Sequence, residues 1–515
     1  MGDKANLGQE IDDRFKTLVN NTTAARVVSQ AVEGTIGPKG LDTMLVDGFG
    51  DVVITNDGIT ILRLMEINHP AAHMIINAAR SQQDEVGDGT TTATIMASAM
   101  ISEGLNQVLK GVPVAKVLEG ITQATAYGAE EIRRCSRPIE GWDDPILFQV
   151  AKVAGRGNQE LAELVVQAGS IIGFDQLQEP GYKFAEAVMA LEGGCSEVVL
   201  GVIVNQKPVN REMPSRVDSA KILIVDDALK PEDLGEGALR TELGFRKYLE
   251  LKDVYHNNLL KIKEMGINLV LVDRSVDDMA EEILTDAGIM VVQRVSHRDL
   301  ERVCEHTGAR MIKRNALNRE PEQLEKYLGR AELVQFNEDL ENIRIIGGRG
   351  KGTATILVGA ATSEVVEERE RMARDAAAAV QAALKGGVVP GGGAIEVWVA
   401  SSLAKLAHEI KGMTSYGVQC VKEALEKPFS CIINNAGLNS LEKLVELAAV
   451  QQANGDCKWA VDCDDGQVVA IEHMGVWDPA MVKTKALEAA SEVAVAILKI
   501  NTVIKKRESG PVPKI

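Results

Sequence analysis

Aromatic residues are scarce in this chain. Phe, Trp and Tyr supply only 3% of its 515 positions, so a core must be built from Ala, Val, Ile and Leu. Basic charge is also in deficit: 56 Lys and Arg stand against 74 Asp and Glu, a net charge of −18. That balance excludes nucleic acid and anionic membrane as main partners, since both need a basic face. No run of about 18 apolar residues occurs, so no transmembrane helix is expected. The first ten residues, Met1-Gly-Asp-Lys-Ala-Asn-Leu-Gly-Gln-Glu10, lack the apolar centre of a signal peptide. The seven cysteines (135, 195, 304, 420, 431, 457, 463) are odd in number and contain no CxxC. A disulfide framework or a zinc site is therefore not expected, and a reducing cytoplasm fits. Cys304-Glu-His306 has the look of a metal corner, but no further ligands stand near it in sequence. It is read as a coincidence on a helix face. The seven histidines are scattered, so no Ser/His/Asp set can be assembled.

What is present is a chain that is 45% hydrophobic, with a length suited to about three domains. Its 47 glycines are spread through the chain without forming a low-complexity tract. The first 140 residues read mainly as helix, including Ala71 to Arg80 and Ala93 to Val108. Before them, Met44-Leu-Val46 and Val52-Val-Ile54 suggest a small hairpin. The middle changes character. Lys221-Ile-Leu-Ile-Val-Asp226, Ile267-Asn-Leu-Val-Leu-Val-Asp273 and Ile289-Met-Val-Val-Gln-Arg294 suit buried strands. Ser275 to Leu284 reads as a helix between the last two, with Ser275 as its cap. This alternation marks a separate α/β domain. Lys230 to Gly266 is too long for an ordinary crossover and should protrude, with Phe245, Tyr248 and Leu249 at helical spacing. From Val365 the chain returns to helix. Gly386 to Gly393 reads as a turn or hinge, and Lys485 to Ile504 as a last, buried helix. The order helical, α/β, helical implies a base domain split by an insertion.

The candidate chemistry lies in glycine-rich turns. Val86-Gly-Asp-Gly-Thr-Thr-Thr-Ala93 places two glycines, one acid and three hydroxyls before a helix. Glycine lets backbone N–H groups approach an anion, and a helix N-terminus adds a positive field. A carboxylate there repels phosphate unless a divalent cation sits between them, and Mg²⁺ takes both kinds of oxygen. So Asp88 reads either as a metal ligand, with Gly89, Thr90, Thr91 and Thr92 around phosphates, or as the N-cap of the helix. Thr35-Ile-Gly-Pro-Lys-Gly40 is not a P-loop and alone reads as a turn. Gly348-Arg-Gly-Lys-Gly-Thr353 reads as an exposed basic turn. Asp57, before Gly58, reads as a turn residue. Asp375, in an Ala-rich helix, reads either as a partner of Arg371 or as a carboxylate that orients and deprotonates a water.

Taken together, "TIGPKGLDTMLVD" at 35–47, "TNDGITIL" at 55–62, "HPAA" at 69–72, "DEVGDGTTTAT" at 84–94, "GVVPGGGA" at 387–394 and "DPAMVKTKAL" at 478–487 resemble the chaperonins. The resemblance is to the thermosome-like type, group II or its bacterial group III relatives, and it runs over nearly the full chain. It implies a multidomain α+β fold. A mostly helical equatorial ATPase domain would be split between 1–142 and 401–515. A small intermediate hinge domain would comprise 143–212 and 365–400. An α/β apical substrate-binding domain would span 213–364, with a lid protrusion at about 230–266. It also implies ATP and Mg²⁺ as cofactors and unfolded or partly folded proteins as clients. The assembly would be a cytoplasmic, homo-oligomeric double ring of eight subunits each, with no detachable co-chaperonin. Residue by residue, the resemblance gives Asp88 the metal and Gly89, Thr90, Thr91 and Thr92 the phosphates. Thr35, Ile36, Gly37 and Pro38 would lie along the nucleotide, Gly392 at the purine and Asp478 at the ribose. Asp57 and Asp375 would position and activate the attacking water. The family's γ-phosphate-sensing Gly-Lys-Gly reads Gly155-Arg156-Gly157 here, so Arg156 would take the lysine's place with a longer, planar head. A small-molecule phosphotransferase and a structural ring protein with weak ATPase activity are the competing readings.

Overall fold

A computed structural model describes residues 3–46, 48, 50, 52–232 and 241–504. The chain forms two compact units, Met1–Ala162 with Arg374–Ile515, and Glu163–Ala373. Both chain ends thus build the first unit, and the second is inserted between them. Among the described residues no helix is long and apolar enough to cross a membrane.

The first unit is helical. Helices Thr90–Leu109 and Val114–Cys135 both pack against Ser415–Asn435 and Ala480–Leu498, while Asp3–Glu33 and Pro70–Val86 pack on Thr90–Leu109. In Val114–Cys135 the buried positions Val117, Gly120, Ile121, Ala124, Gly128 and Ile132 recur every three or four residues, which is one helix face. They join an aliphatic core with Met96, Met100, Ile101, Val418, Val421, Leu425, Leu487 and Ile497. Small residues let some helices meet backbone to backbone. A Cβ on Gly120 would lie 2.1 Å from the Thr414 carbonyl oxygen, and one on Gly417 would lie 2.2 Å from that of Val117. The expected hairpin is present, as Thr43–Val46 paired antiparallel with Val52–Thr55.

The expected helices extend further than their apolar patterns. Pro70–Val86 begins at a Pro in its first turn, with His69 Nδ1 accepting from the Ala71 amide at 3.2 Å, and ends at left-handed Gly87. The last helix runs Ala480–Leu498 and not to Ile504. Gly386 to Gly393 is not all turn. Val388–Pro390 pairs antiparallel with Trp477–Pro479, so the glycine turn is mounted on a short ribbon.

In the second unit a six-stranded sheet has the order Gly201–Val204, Asn342–Gly348, Gly329–Asn337, Arg216–Val225, Leu269–Val272, Met290–Val292. The last three, parallel to one another, carry the three apolar runs expected from sequence. Both faces are buried, as parallel strands require. Ile222, Ile224 and Leu271 enter one core, and Leu223, Val225 and Val270 the other. Val188–Glu192, Thr355–Ala360 and Glu197–Val199 form a second sheet. The helix expected at Ser275 begins at Asp278. Asp277, in extended backbone conformation directly before the first turn, caps it, accepting from the Ala280 amide at 3.1 Å.

Of the excursion Lys230 to Gly266, residues 233–240 lie outside the described set. Helix Glu242–Glu264, capped by Thr241, makes up most of the remainder. Its C-terminal half buries Tyr255, Leu259 and Ile262, whereas Leu243, Phe245, Leu249 and Val254 stand exposed. The Gly348–Thr353 turn has Arg349 and Lys351 exposed, as its composition suggests.

Gly120→Ala is expected to lower the thermal midpoint, at the upper end of the ~1–3 kcal/mol that overpacking costs, because the clash is with backbone. Gly141→Ala, whose methyl would meet nothing within 4 Å, should leave it unchanged. Scanning calorimetry of the two variants checks this.

Candidate functional site

Glycines bring the site's loops together in the first unit. Gly58 follows Asp57, and a Cβ there would lie 2.2 Å from Thr91 Oγ1 and 3.5 Å from Thr90 Oγ1. Gly89 rests on the helix Ala480–Leu498, where an added Cβ would meet Val482 Cγ1 at 2.7 Å. Gly391 abuts the Asp478 carboxylate, whose three terminal atoms would each be 3.0 Å from a Cβ. Gly393 sits over Phe429, and Gly37 over Ile432. Phe429, Ile432 and Asn435 are three apart on helix Ser415–Asn435 and so share a face. Asn435 Nδ2 donates to the carbonyls of Glu33 and Ile36 at 3.0 and 2.9 Å. One helix face thereby carries both the Thr35–Pro38 turn and the Gly391–Gly393 turn. Thr35 is buried, with its hydroxyl donating to the Val32 carbonyl at 2.8 Å, while Gly37 and Pro38 are exposed. Gly392, at φ 63°, faces open space.

Two helices start in this region without side-chain caps. Thr90–Leu109 begins after Gly89 at φ 81°, and Ala394–Glu409 after Gly393 at φ 84°. Their first-turn amides are the donors that an anion satisfies. Asp88 is therefore not the N-cap of the threonine helix. Its Oδ1 instead accepts from the Gly89 amide, at 2.5 Å, and its carbonyl accepts from Gln82 Nε2 at 2.9 Å. Thr90 and Thr92 are mostly buried, and Thr91 is partly open. Asp57 does act as a cap. Its Oδ2 accepts from the Thr60 hydroxyl at 2.6 Å and the Thr60 amide at 3.3 Å.

The electrostatics are acidic. Asp88 keeps part of its surface open, yet burial pushes its carboxyl up to about 6. The Gly89 amide and Lys483 pull it down, while Asp478 and Asp57 push it further up. Lys483 lies between two acids, 2.7 Å from Asp478 Oδ2 and 2.8 Å from Glu396 Oε1. Burial works against its charge, but these two carboxylates outweigh it and raise its pKa above the usual lysine value. Glu396 is 2% exposed, and its Oε2 has no hydrogen-bond partner among the described residues.

Asp375 is half-buried on helix Ser363–Gly386, three residues before Ala378 and hence on the same face. A Cβ on Gly87 would lie 2.5 Å from that of Ala378, so this face abuts the Asp88 loop. A Cβ on Gly155 would lie 3.7 Å from that of Ala376, which sets the turn holding Arg156 beside the same helix. Arg156 takes a left-handed φ of 55°, uncommon for a residue with a side chain. Arg371 pairs with Glu368, at 2.8 Å. Cys304-Glu-His306 is no metal corner. His306 Nε2 accepts from the Gly348 amide at 3.0 Å, and no cluster of three metal-binding side chains occurs among the described residues.

Lys483, Glu396 and Gln82 are not singled out by the sequence pattern. Glu396 could have been found, as the lone charge in the apolar run Gly386 to Ala404. Lys483, one of four charges on its helix, and Gln82 carry no such local signal.

The donor set suits a phosphate-bearing ligand paired with a divalent cation. Glycine turns and two uncapped helix ends are the donors an anion needs, and the Asp88 and Asp57 carboxylates are the hard oxygens a divalent cation takes. One or two carboxylates plus phosphates suffice for Mg²⁺, so a dedicated cage is not needed. The site thus defines a nucleotide-phosphate-handling protein. Over residues 28–508 the chain matches the TCP-1/cpn60 chaperonin family. It is 35% identical over 504 residues to thermosome subunit beta of Archaeoglobus fulgidus, covering 94% of this chain and 91% of that protein. To a thermosome subunit of Methanopyrus kandleri it is 34% identical over 505 residues, covering 95% and 92%. A solved group III chaperonin in the open state matches with a TM-score of 0.86 and 44% identity, over 96% of this chain and 100% of that one. The chain belongs to the TCP-1/cpn60 chaperonin family; it is an ATP-dependent chaperonin, and hence an ATPase.

The charges set two expectations. A carboxyl raised to about 6 binds its proton more tightly in the folded state than in the unfolded one. Its contribution to stability therefore falls as pH rises from the ordinary aspartate value of about 4 through the raised one. Asp88→Asn should raise the melting temperature of the nucleotide- and metal-free protein at pH 7 and leave it unchanged at pH 4, as melting curves at both pH values would show. Lys483→Met strands the buried Glu396 and the partly buried Asp478, and breaking a buried pair costs about 3–5 kcal/mol. Its melting temperature should drop by several degrees, and adding Glu396→Gln should restore part of the loss.

Proposed function

We propose that this chain hydrolyses Mg²⁺-ATP at the site around Asp57, Asp88, Asp375 and Asp478, and uses turnover to enclose and fold unfolded or partly folded proteins. The observation that carries the reading is the gathering of these acids beside two uncapped helix N-termini. Backbone amides from Gly89 onward, with the Thr90, Thr91 and Thr92 hydroxyls, hold the phosphates. Thr35, Ile36, Gly37 and Pro38 lie along the nucleotide, Gly392 gives its bare backbone to the purine, and Asp478 accepts from the ribose hydroxyls. Asp88 would hold the metal, which when bound supplies neutralisation of phosphate charge. Asp57 and Asp375 orient a water in line with the γ-phosphate, and a carboxylate takes its proton. Arg156 reports the γ-phosphate through its charge, its left-handed turn aiming the longer head.

The working assembly we propose is a cytoplasmic double ring of eight copies per ring. Each copy has an equatorial domain (1–142 and 401–515), an intermediate domain (143–212 and 365–400) and an apical domain (213–364). The protrusion at about 230–266 serves as a built-in lid, so no detachable co-chaperonin is required. The exposed Leu243, Phe245 and Leu249 support an apolar lid or client contact. With Asp375 in the intermediate domain, nucleotide turnover drives hinge closure.

Asp375→Ala should bind ATP with near-normal affinity and lose hydrolysis by at least about a hundredfold, within the range for a general base. ATP titration by calorimetry and steady-state phosphate release read the two separately. Full hydrolysis in this variant would falsify the assignment. A wild-type protein unable to refold a denatured test protein with ATP would remove the chaperonin reading itself.

A further inference from the structure

Cys135 and Cys457 are 322 positions apart, and nothing in their spacing joins them. Cys135 ends the helix Val114–Cys135, and Cys457 sits in the loop before the strand Trp459–Val461. Both belong to the first unit and pack on its aliphatic core. Both also line one cavity of about 670 Å³, beside Trp398, Trp477, Arg137 and Lys458. Inside it the two thiols lie close enough to influence each other's ionisation. Cys457 is 7% exposed, whereas Cys135 is half-buried and the more accessible of the two.

Their surroundings make them unequal. The neighbouring Cys457 thiol holds the Cys135 pKa below the ordinary thiol value against the effects of burial and Glu131, with Arg134 and Trp398 assisting. That contact with Cys135, then burial, raises Cys457. Burial pushes Cys304 and Cys431 up to about 11, and Cys420 higher still. The thiolate is the reactive form, so Cys135 is the favoured nucleophile and Cys457 is the thiol placed to resolve it.

We infer that Cys135 and Cys457 form a reversible dithiol–disulfide site, oxidised by a peroxide small enough to enter the cavity they share. The Cys135 thiolate attacks one peroxide oxygen and the O–O bond breaks. This leaves a sulfenic acid on Cys135 and releases hydroxide, which takes a proton to become water. Cys457 sulfur then attacks the Cys135 sulfur. The S–O bond breaks, a second water leaves with the Cys457 proton, and the S–S bond forms. In sum, two thiols and one hydrogen peroxide give one disulfide and two waters, with two electrons passing from sulfur to oxygen. A dithiol exchanges with the disulfide and restores both thiols.

The test uses the full-length assembled protein and hydrogen peroxide as the oxidant. After oxidation, alkylation and digestion, mass spectrometry should find free thiols reduced from seven to five per chain. It should also find the Cys135 and Cys457 peptides joined within one chain, with dithiothreitol restoring seven. In Cys457→Ser, Cys135 should stop at the sulfenic acid and be trapped by dimedone. Seven alkylated thiols after peroxide, a disulfide between other cysteines, or a cross-link between chains on a non-reducing gel would each overturn the inference. The wild-type peptide map decides the matter even if the serine variant fails to assemble.

Discussion

The ion pair of Lys483 with Asp478 and Glu396 joins three elements drawn from two stretches of chain. Asp478 lies on the ribbon Trp477–Pro479, Glu396 in the first turn of Ala394–Glu409, and Lys483 in the first turns of Ala480–Leu498. A site for a charged nucleotide needs acids, yet acids held close together repel and resist burial. One lysine between two of them holds Asp478 where it abuts Gly391, while a third acid, Asp88, feels the same positive charge. Removing the lysine leaves two carboxylates facing each other with no cation between them, whereas removing one acid leaves a balanced pair.

The other recurring device is the absence of side chain. Gly58, Gly89, Gly391 and Gly393 each stand where a Cβ would strike a neighbour, and the neighbour is part of another loop or helix of the site. The helices beneath use the same approach at Gly120 and Gly417. A core with so few rings gains little from stacking, and it compensates by close contact of many small aliphatic groups, each weakly attractive. Close backbone approach therefore serves both packing and ligand binding.

Much of this was legible in the residues. The three apolar runs of the middle region became neighbouring parallel strands because continuous hydrophobic character implies burial on both faces. The split of the helical unit followed from the order of patterns along the chain. Local signals settled less. Ser275 and Asp277 are both good caps, and only the fold chose Asp277. Asp88 had a plausible second life as a cap, and the backbone placed Gly89 there instead. Val388–Pro390 is too short to announce itself as a strand without its partner at Trp477–Pro479. The pairing of Lys483 with Glu396, and of Cys135 with Cys457, joins distant segments, and a one-dimensional pattern does not give such pairings.

The closure of the first unit by both ends of the chain has a consequence during synthesis. Gln82, which braces the Asp88 loop, donates to Val482, 400 residues later. At translation rates of roughly 5–20 residues per second, the loop waits on the order of 20–80 seconds for the helix it rests on. Throughout that interval the apolar faces of Thr90–Leu109 and Val114–Cys135 have no Ala480–Leu498 to cover them. A chaperonin subunit is itself, while being made, an unfinished chain with apolar faces still uncovered.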